Sequence, residues 1–302
     1  MKKLLVILGP TGVGKTNLSI ELATYFRCPI ISADSRQIYR GMTIGTDAPS
    51  AEQLQKVEHY FIGTLSVEDY HSASEFEDDT LALLSQLYET YNIAILSGGS
   101  MLYIDAVCKG IDDVPNIDPV LRRQLMEQYR QEGIDSIRMQ LKLRDPQFYD
   151  EVDLKNYKRV IHALEVCIMT GKPYSSFRTN TVKKRPFEIV KIGLTRPRKE
   201  LYNRINARVD SMINRGLIEE ARKLYPYKHL NSLNTVGYKE LFNYFDGEWT
   251  LDFAIDKIKQ HSRNYARKQL SWFNRDKDIY WIDLSDESVD VKEVIVERVK
   301  MW

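Results

Sequence analysis

The first 23 residues, MKKLLVILGPTGVGKTNLSIELA (Met1–Ala23), decide how the rest of the chain is read. Leu4 to Leu8 is wholly apolar, the pattern of a short strand buried on both faces of a parallel sheet. It runs into Gly9-Pro10-Thr11-Gly12-Val13-Gly14-Lys15-Thr16, which fits G-x-x-x-x-G-K-[ST]. Leu18, Leu22 and Tyr25 then fall at helical spacing and predict a helix over 15–26. A strand, a glycine-rich turn and a helix in this order form a phosphate cradle. The glycines let backbone N–H groups turn inward at the positive helix end, Lys15 adds a point charge, and the Thr16 hydroxyl suits Mg²⁺. The motif leaves the phosphate open: a hydrolysed nucleotide, a kinase donor or some other pyrophosphate.

Moving outward, Ile30 to Ala33 reads as a second strand ending at Asp34, 75–91 as a helix, and Ile93 to Leu96 as a third strand ending in Ser97-Gly98-Gly99-Ser100. Strands alternating with helices predict an α/β fold, a P-loop NTPase-like parallel sheet flanked by helices. Ligands in such sheets sit beyond the carboxyl ends of the strands, where the cradle, Asp34 and Gly98-Gly99 would converge. The pattern changes at GIDDVPNIDP (110–119), a linker ending in an Asp118 N-cap and Pro119 at the first helical position. Helices are expected over 119–132, 135–143 and 154–170, the last stopped by Gly171-Lys172-Pro173. Residues 112–185 thus read as a small all-helical insertion domain between two parts of a catalytic core, 1–111 and 186–302. The sheet pattern resumes at 188–194, helices follow over 198–215, 217–225, 236–245 and 251–273, and 279–283 is a late strand.

A chain of 302 residues that is 43% hydrophobic and 28% charged reads as soluble and globular. Cys28, Cys108 and Cys167 stand apart without CxxC or CxxH company, so they suit a reducing compartment as small buried hydrophobes and argue against a zinc site. Met1-Lys2-Lys3 with the following apolar run is too short for a secretory signal and ends in the cradle. No run approaches the roughly 20 apolar residues of a membrane span, so a cytoplasmic protein without a membrane partner is expected. The formal charge is only +1, yet residues 183–280 hold 21 Lys+Arg against 12 Asp+Glu, a net of +9 that leaves −8 for the remainder. One basic lobe of this kind is either the footprint of a polyanion partner or a set of solvated helix faces. Asp34 opens SADSRQIYRGMTIGT (Ser32–Thr46), and a carboxylate at that sheet edge is a general base, a metal ligand or a helix cap.

The segments GPTGVGKT, ADSRQIYRGMTIGT, GGSMLY, ALEVCIMTGKP, LYNRINARVDSMINRGLIEEA, VGYKE and RNYARKQLSWF occur in this order. Together they resemble the bacterial tRNA dimethylallyltransferases, also called tRNA isopentenylpyrophosphate transferases, from about Leu4 to Trp281. The resemblance implies transfer of a dimethylallyl group from dimethylallyl pyrophosphate to N6 of the adenosine 3′-adjacent to the anticodon, in tRNAs reading UNN codons, with release of pyrophosphate. It places the donor's pyrophosphate on Gly9, Pro10, Thr11, Gly12, Val13, Gly14, Lys15 and Thr16, with Arg208 reaching it from LYNRINARV. Asp34 matches the general base, and Asp34, Thr16, Lys15 and Arg208 match the catalytic set, with Mg²⁺ as cofactor at Thr16. Ser35, Arg36 and Gln37 match the segment holding the flipped base. Ser100 stands where the family usually has threonine and can make the same hydrogen bond; Met101 stands for a common glycine. For the tRNA anticodon stem-loop, the matching contacts are Arg122, Lys158, Arg159 and His162 in the insertion, the last often arginine in the family, and Thr235, Val236, Gly237, Tyr238 and Lys239. A monomer is expected.

The resemblance also gives the basic lobe a purpose. Arg204, Arg208 and Arg215 share one face of the 198–215 helix, opposite Leu201, Ile205, Val209 and Met212, and Lys259, Arg263 and Arg267 recur four apart on the 251–273 helix. These stripes are expected to meet RNA phosphates. Other readings remain: an adenylate isopentenyltransferase alkylating a free nucleotide, a P-loop small-molecule kinase, or a non-enzymatic RNA-binding switch. The helical insertion and the basic C-terminal half favour a macromolecular acceptor.

Overall fold

In the computed structural model, which describes residues 1–112, 114–115, 118–179 and 181–301, the opening apolar run is strand β1 (Lys3–Leu8), buried from Leu4 onward. Asp113, Asn116 and Ile117 of the expected linker lie outside the described residues. The chain continues as α1 (Lys15–Phe26), β2 (Ile30–Ala33), α2 (Ala51–Lys56), β3 (His59–Tyr60), α3 (Ala73–Thr90), β4 (Ile93–Gly98) and α4 (Met101–Lys109). Four helices follow: α5 (Pro119–Glu132), α6 (Ile134–Arg144), α7 (Pro146–Glu151) and α8 (Tyr157–Thr170). The remainder is β5 (Glu188–Thr195), α9 (Arg198–Asn214), α10 (Leu217–Leu224), α11 (Tyr238–Phe245), α12 (Leu251–Phe273), β6 (Tyr280–Asp283) and α13 (Val291–Met301).

The six strands form one parallel sheet in the order β3-β2-β4-β1-β5-β6. Because successive side chains point to opposite faces, β1 divides its apolar residues between two layers. Leu5 and Ile7 pack with Leu18 and Leu22 of α1, while Leu4, Val6 and Leu8 pack with Phe76 and Leu84 of α3. Both faces are covered, which is why the run shows no polar alternation. A third apolar cluster surrounds Tyr238 and includes Ile38, Met42, Met212 and Leu241. No helix among the described residues is long and apolar enough to cross a membrane.

Two compact units result: Met1–Cys108 with Lys184–Trp302, and Lys109–Lys183. The second is a helical unit with its own core of Leu125, Ile137, Leu141, Val160 and Leu164. The helix expected over 154–170 is α8, which begins three residues later, and the short α7 fills the gap left between the helices expected over 135–143 and 154–170. Asp145 caps α7 at the Phe148 N–H, α7 ends at Glu151, and α8 begins only after the Asn156 side chain accepts from the Arg159 N–H. Gly171 ends α8 in the left-handed conformation at φ 68°, as a C-cap glycine does. The short α2 and two-residue β3, together with α4, α7 and α13, had no counterpart in the sequence reading.

Candidate active site

The cradle is pressed against the neighbouring strand. Gly9 has φ 145°, and a Cβ there would lie 2.6 Å from the Leu194 carbonyl oxygen of β5, so only glycine fits. Lys15 donates through Nζ to the carbonyls of Gly9 (3.0 Å) and Pro10 (2.9 Å). Arg204 donates through Nε to the Gly12 carbonyl at 2.9 Å, and Arg196 to that of Val13 at 2.9 Å. Arg208 Nε lies 3.3 Å and Arg215 Nη2 2.8 Å from the carboxylate of Asp47, a non-glycine residue at φ 51°.

A cavity of about 590 Å³ opens over this loop, with Lys15, Thr16, Arg204, Arg208 and Arg215 in its lining against the two carboxylates Asp34 and Asp47. The surplus of cations leaves its mark on the lysine. Burial, and then the charge of Arg208, bring Lys15 from 10.5 down to about 7, with Asp34 acting the other way. Arg208 is likewise lowered, first by burial and also by Arg215, against the pull of Asp47 and Asp34. A crowded group of cations that cannot all be comfortably charged is a site for a multiply charged anion.

Asp34 lies one residue beyond β2. Its Oδ1 accepts from the backbone N–H groups of Arg36 (2.9 Å) and Gln37 (3.3 Å), bracing the turn that follows, while among the described residues nothing donates to Oδ2. A second cavity of about 470 Å³ contains Ser35, Arg36, Ser100 and Lys239 in its wall. Asp34, Thr11, Thr46, Arg208 and Tyr265 line both cavities. The two spaces therefore meet at a carboxylate with one oxygen available.

Of the eight cradle residues, Thr11, Gly12, Gly14, Lys15 and Thr16 line the first cavity. Gly9 and Pro10 act through the carbonyls that hold Lys15. Val13 is fully buried in the core, so its side chain cannot meet a phosphate. The Thr11 N–H is already engaged, donating to Gln269 Oε1 at 2.8 Å. Tyr238 also departs from expectation as a tRNA contact. Its side chain is completely buried and its hydroxyl donates to Glu220 Oε1 at 2.7 Å. Thr235, Val236, Gly237 and Lys239 do line the second cavity.

Gln37 faces the first cavity and is fully occupied: it accepts from Ser32 Oγ at 3.0 Å and donates to the carbonyls of Thr46 (3.2 Å) and Asp47 (3.3 Å). It braces the loop that carries Asp47. The basic stripe of α9 turns to the cradle, where Arg204, Arg208 and Arg215 line the first cavity while Arg204 and Arg215 stay exposed to solvent. On α12, Lys259 pairs with Asp210 at 2.6 Å and Arg263 donates to Asn206 at 2.6 Å, so these two cations fasten α12 to α9. Among the described residues no three His, Cys, Asp or Glu side chains gather as a metal-binding group.

In the helical unit, Arg122 forks onto Glu165, Nε to Oε1 at 2.8 Å and Nη2 to Oε2 at 2.7 Å. Burial tends to raise the Glu165 carboxyl, yet Arg122 and His162, whose Nδ1 lies 3.7 Å away, hold it below the usual carboxylate range. Lys158 and Arg159 are exposed at the start of α8.

Sequence reading missed Gln269, Tyr265, Asp47 and Glu220. Tyr265 and Gln269 are four apart in RNYARKQLSWF, a spacing that places them on one helix face, and a glutamine on a buried face is the signal available.

Fold and site first define a class: a P-loop α/β protein with a polyanion cavity joined to a second cavity at a carboxylate. The family model described as IPP transferase matches residues 37–276. The chain is 60% identical over 292 residues to tRNA dimethylallyltransferase 1 of Phocaeicola vulgatus, covering 97% of each. It is 58% identical over 286 residues to tRNA dimethylallyltransferase 1 of Bacteroides fragilis, covering 95% of each. Among solved structures, the full-length tRNA isopentenylpyrophosphate transferase of Bacillus halodurans superimposes with a TM-score of 0.71 at 37% identity, covering 100% of this chain and 95% of that one. A eukaryotic dimethylallyltransferase acting on tRNA gives 0.83 at 25% identity, covering 98% and 78%. The chain belongs to the IPP transferase family.

Proposed function

We propose that this chain is a tRNA dimethylallyltransferase. It transfers a dimethylallyl group from dimethylallyl pyrophosphate to N6 of the adenosine 3′-adjacent to the anticodon, in tRNAs reading UNN codons, and releases pyrophosphate. The observation that carries this reading is the meeting of the cation-lined cavity and the second cavity at Asp34.

The pyrophosphate lies in the first cavity against Lys15, Arg208 and the cradle, with the allylic C1 directed to the junction. The flipped adenine enters the second cavity past Ser35, Arg36 and Ser100. Flipping costs a few kcal/mol and is cheapest in a loop whose bases already splay. The exocyclic amine is a weak nucleophile because its lone pair is delocalised into the ring. The C1–N6 bond forms as the C1–O bond breaks, the pyrophosphate keeping the electron pair. The N6 proton passes to the open oxygen of Asp34. Lys15 and Arg208 meet the charge that develops on the leaving oxygens. Mg²⁺ fits the oxygen chemistry here: the Thr16 hydroxyl would hold it, and it would supply further neutralisation of the leaving group. The tRNA is gripped by Arg122, Lys158, Arg159 and His162 of the helical insertion, 112–185, and by Thr235, Val236, Gly237 and Lys239 of the core. Every one of these groups comes from one chain, so a monomer in the cytoplasm suffices.

The test is incubation with dimethylallyl pyrophosphate, Mg²⁺ and an unmodified tRNA reading UNN codons, followed by nucleoside mass spectrometry. A dimethylallyl mass gain on the adenosine 3′ of the anticodon, lost in Asp34→Ala, is the expected result. Alkylation of free AMP but not of tRNA, or ATP consumption with neither alkylated, refutes it.

A further inference from the structure

The base and the cradle leave the sheet from strands that do not touch, because β4 lies between β2 and β1. Neighbouring strands are about 4.8 Å apart, so the ends of β1 and β2 are separated by roughly 10 Å. Alkyl transfer needs its reacting atoms within about 3–3.5 Å in the right orientation. The groups that bridge the end of β4 therefore govern whether C1 and N6 align.

On one side of that bridge, Ser100 Oγ accepts from the Ser35 N–H at 2.8 Å, and the Ser100 N–H donates to the Ala33 carbonyl at 3.1 Å. These bonds flank Asp34 on both sides. On the other side, Gln269 of α12 spans the gap with its amide. Nε2 donates to the Gly99 carbonyl at 2.8 Å, and Oε1 accepts from the Thr11 N–H at 2.8 Å. Gln269 is 2% exposed, and a Cβ on residue 99 would sit 2.3 Å from its Nε2, so glycine at 99 is what admits the amide. Glutamine meets a demand that similar side chains cannot: glutamate only accepts, and leucine does neither.

We infer that Gln269 is a positioning residue that sets the separation between the pyrophosphate cradle and the Asp34 carboxylate, through the chain Thr11–Gln269–Gly99–Ser100–Ser35. The inference rests on reading the site as one for alkyl transfer to tRNA. Gln269 does no chemistry; it holds two loops in register so that a donor seated on one presents C1 to a nucleophile deprotonated by the other.

The experiment uses full-length protein with dimethylallyl pyrophosphate, Mg²⁺ and unmodified tRNA, comparing Gln269→Leu, Gln269→Glu, Ser100→Ala and Gln269→Leu/Ser100→Ala. A misplacement of about 1 Å costs on the order of 100-fold, so Gln269→Leu should lose about 10- to 100-fold in kcat with KM for tRNA unchanged. More of the consumed donor should appear as dimethylallyl alcohol, in which water oxygen bonds to C1, its proton goes to solvent and pyrophosphate leaves. Ser100→Ala should lower the same parameter, and the double variant should lose no more than Gln269→Leu, because one break already opens the chain. Parental kcat in Gln269→Leu, additive losses in the double variant, or a kcat loss matching the folded fraction seen by circular dichroism each overturn the inference. If Gln269→Leu does not fold, Gln269→Glu, which keeps the acceptor for Thr11, and Ser100→Ala carry the same comparison. Failure of the parent protein to alkylate tRNA defeats the proposed function instead, so the two failures are distinguishable.

Discussion

Replacing Lys15 by methionine should make the donor-free protein more stable while removing donor binding. Burial and the Arg208 charge bring the Lys15 ammonium from 10.5 to about 7. At about 1.4 kcal/mol per tenfold change in the proton equilibrium, holding this cation in the empty cradle costs on the order of 5 kcal/mol. Losing its bonds to the Gly9 and Pro10 carbonyls offsets part of the gain, about 1–3 kcal/mol for the acceptors left behind. A net of about 2–4 kcal/mol remains, which for a chain of this length is a rise of about 4–8 °C in Tm.

The sign with pH follows from linkage. The folded value lies below the free one, so the penalty is absent above pH 10.5, grows as pH falls toward 7 and is constant below that. Thermal unfolding without donor should show Lys15→Met above the parent by the widest margin at pH 6–7, with the gap closing toward pH 10. Adding pyrophosphate with Mg²⁺ should raise the Tm of the parent and leave the variant unmoved. A variant less stable than the parent throughout pH 6–9 refutes the argument, since Lys15 would then be a stabilising group and not a strained one held for its ligand.

Other substitutions probe the frame around the site. Glu220 accepts from the N–H groups of Thr43, Ile44 and Gly45 and from the Tyr238 hydroxyl, so Glu220→Ala strands four donors and should cost about 3 kcal/mol or more in urea unfolding; a loss below about 1 kcal/mol would show that water replaces them. Gly45→Ala puts a Cβ 2.6 Å from the Tyr238 ring and should destabilise by about 1–3 kcal/mol, while a neutral result in calorimetry would mean that the 43–47 loop yields freely. Glu165→Gln removes the carboxylate that fixes the Arg122 fork, and anisotropy with labelled tRNA should show affinity weakened about 3- to 10-fold, with pyrophosphate binding unchanged; unaltered tRNA affinity would exclude Arg122 from that contact.

What could be read from the chain follows from the range of the interactions involved. The β1–α1 cradle is specified within 23 residues, since an apolar run, glycines at fixed spacing and a helical repeat are all local. The helices 15–26, 119–132 and 251–273 coincide with α1, α5 and α12 for the same reason. Gln269 could not be seen this way: its partners, Thr11 and Gly99, lie 258 and 170 positions away, and nothing in their local sequence calls for an amide. Tyr238 is the converse case. It sits in the right segment, but Gly45 leaves room for its ring and Glu220 takes its hydroxyl, so it serves the core.

Charge shows the same limit. A net of +9 over residues 183–280 suggested a broad RNA surface, yet periodicity says which side chains share a face, not what that face meets. In the fold, Arg204, Arg208 and Arg215 line the first cavity, and Lys259 and Arg263 join α12 to α9. Arg36, Lys239 and Lys268 are the Arg and Lys side chains in the wall of the second cavity that do not also line the first. The basic lobe therefore divides between two cavities, with most of the α9 charge directed to the first, which on the proposed function holds the smaller polyanion. That division has a physical reason. A pyrophosphate concentrates its charge on a few oxygens and must be met by closely clustered cations. An RNA backbone spreads its charge and can be held by fewer, more exposed ones aided by shape.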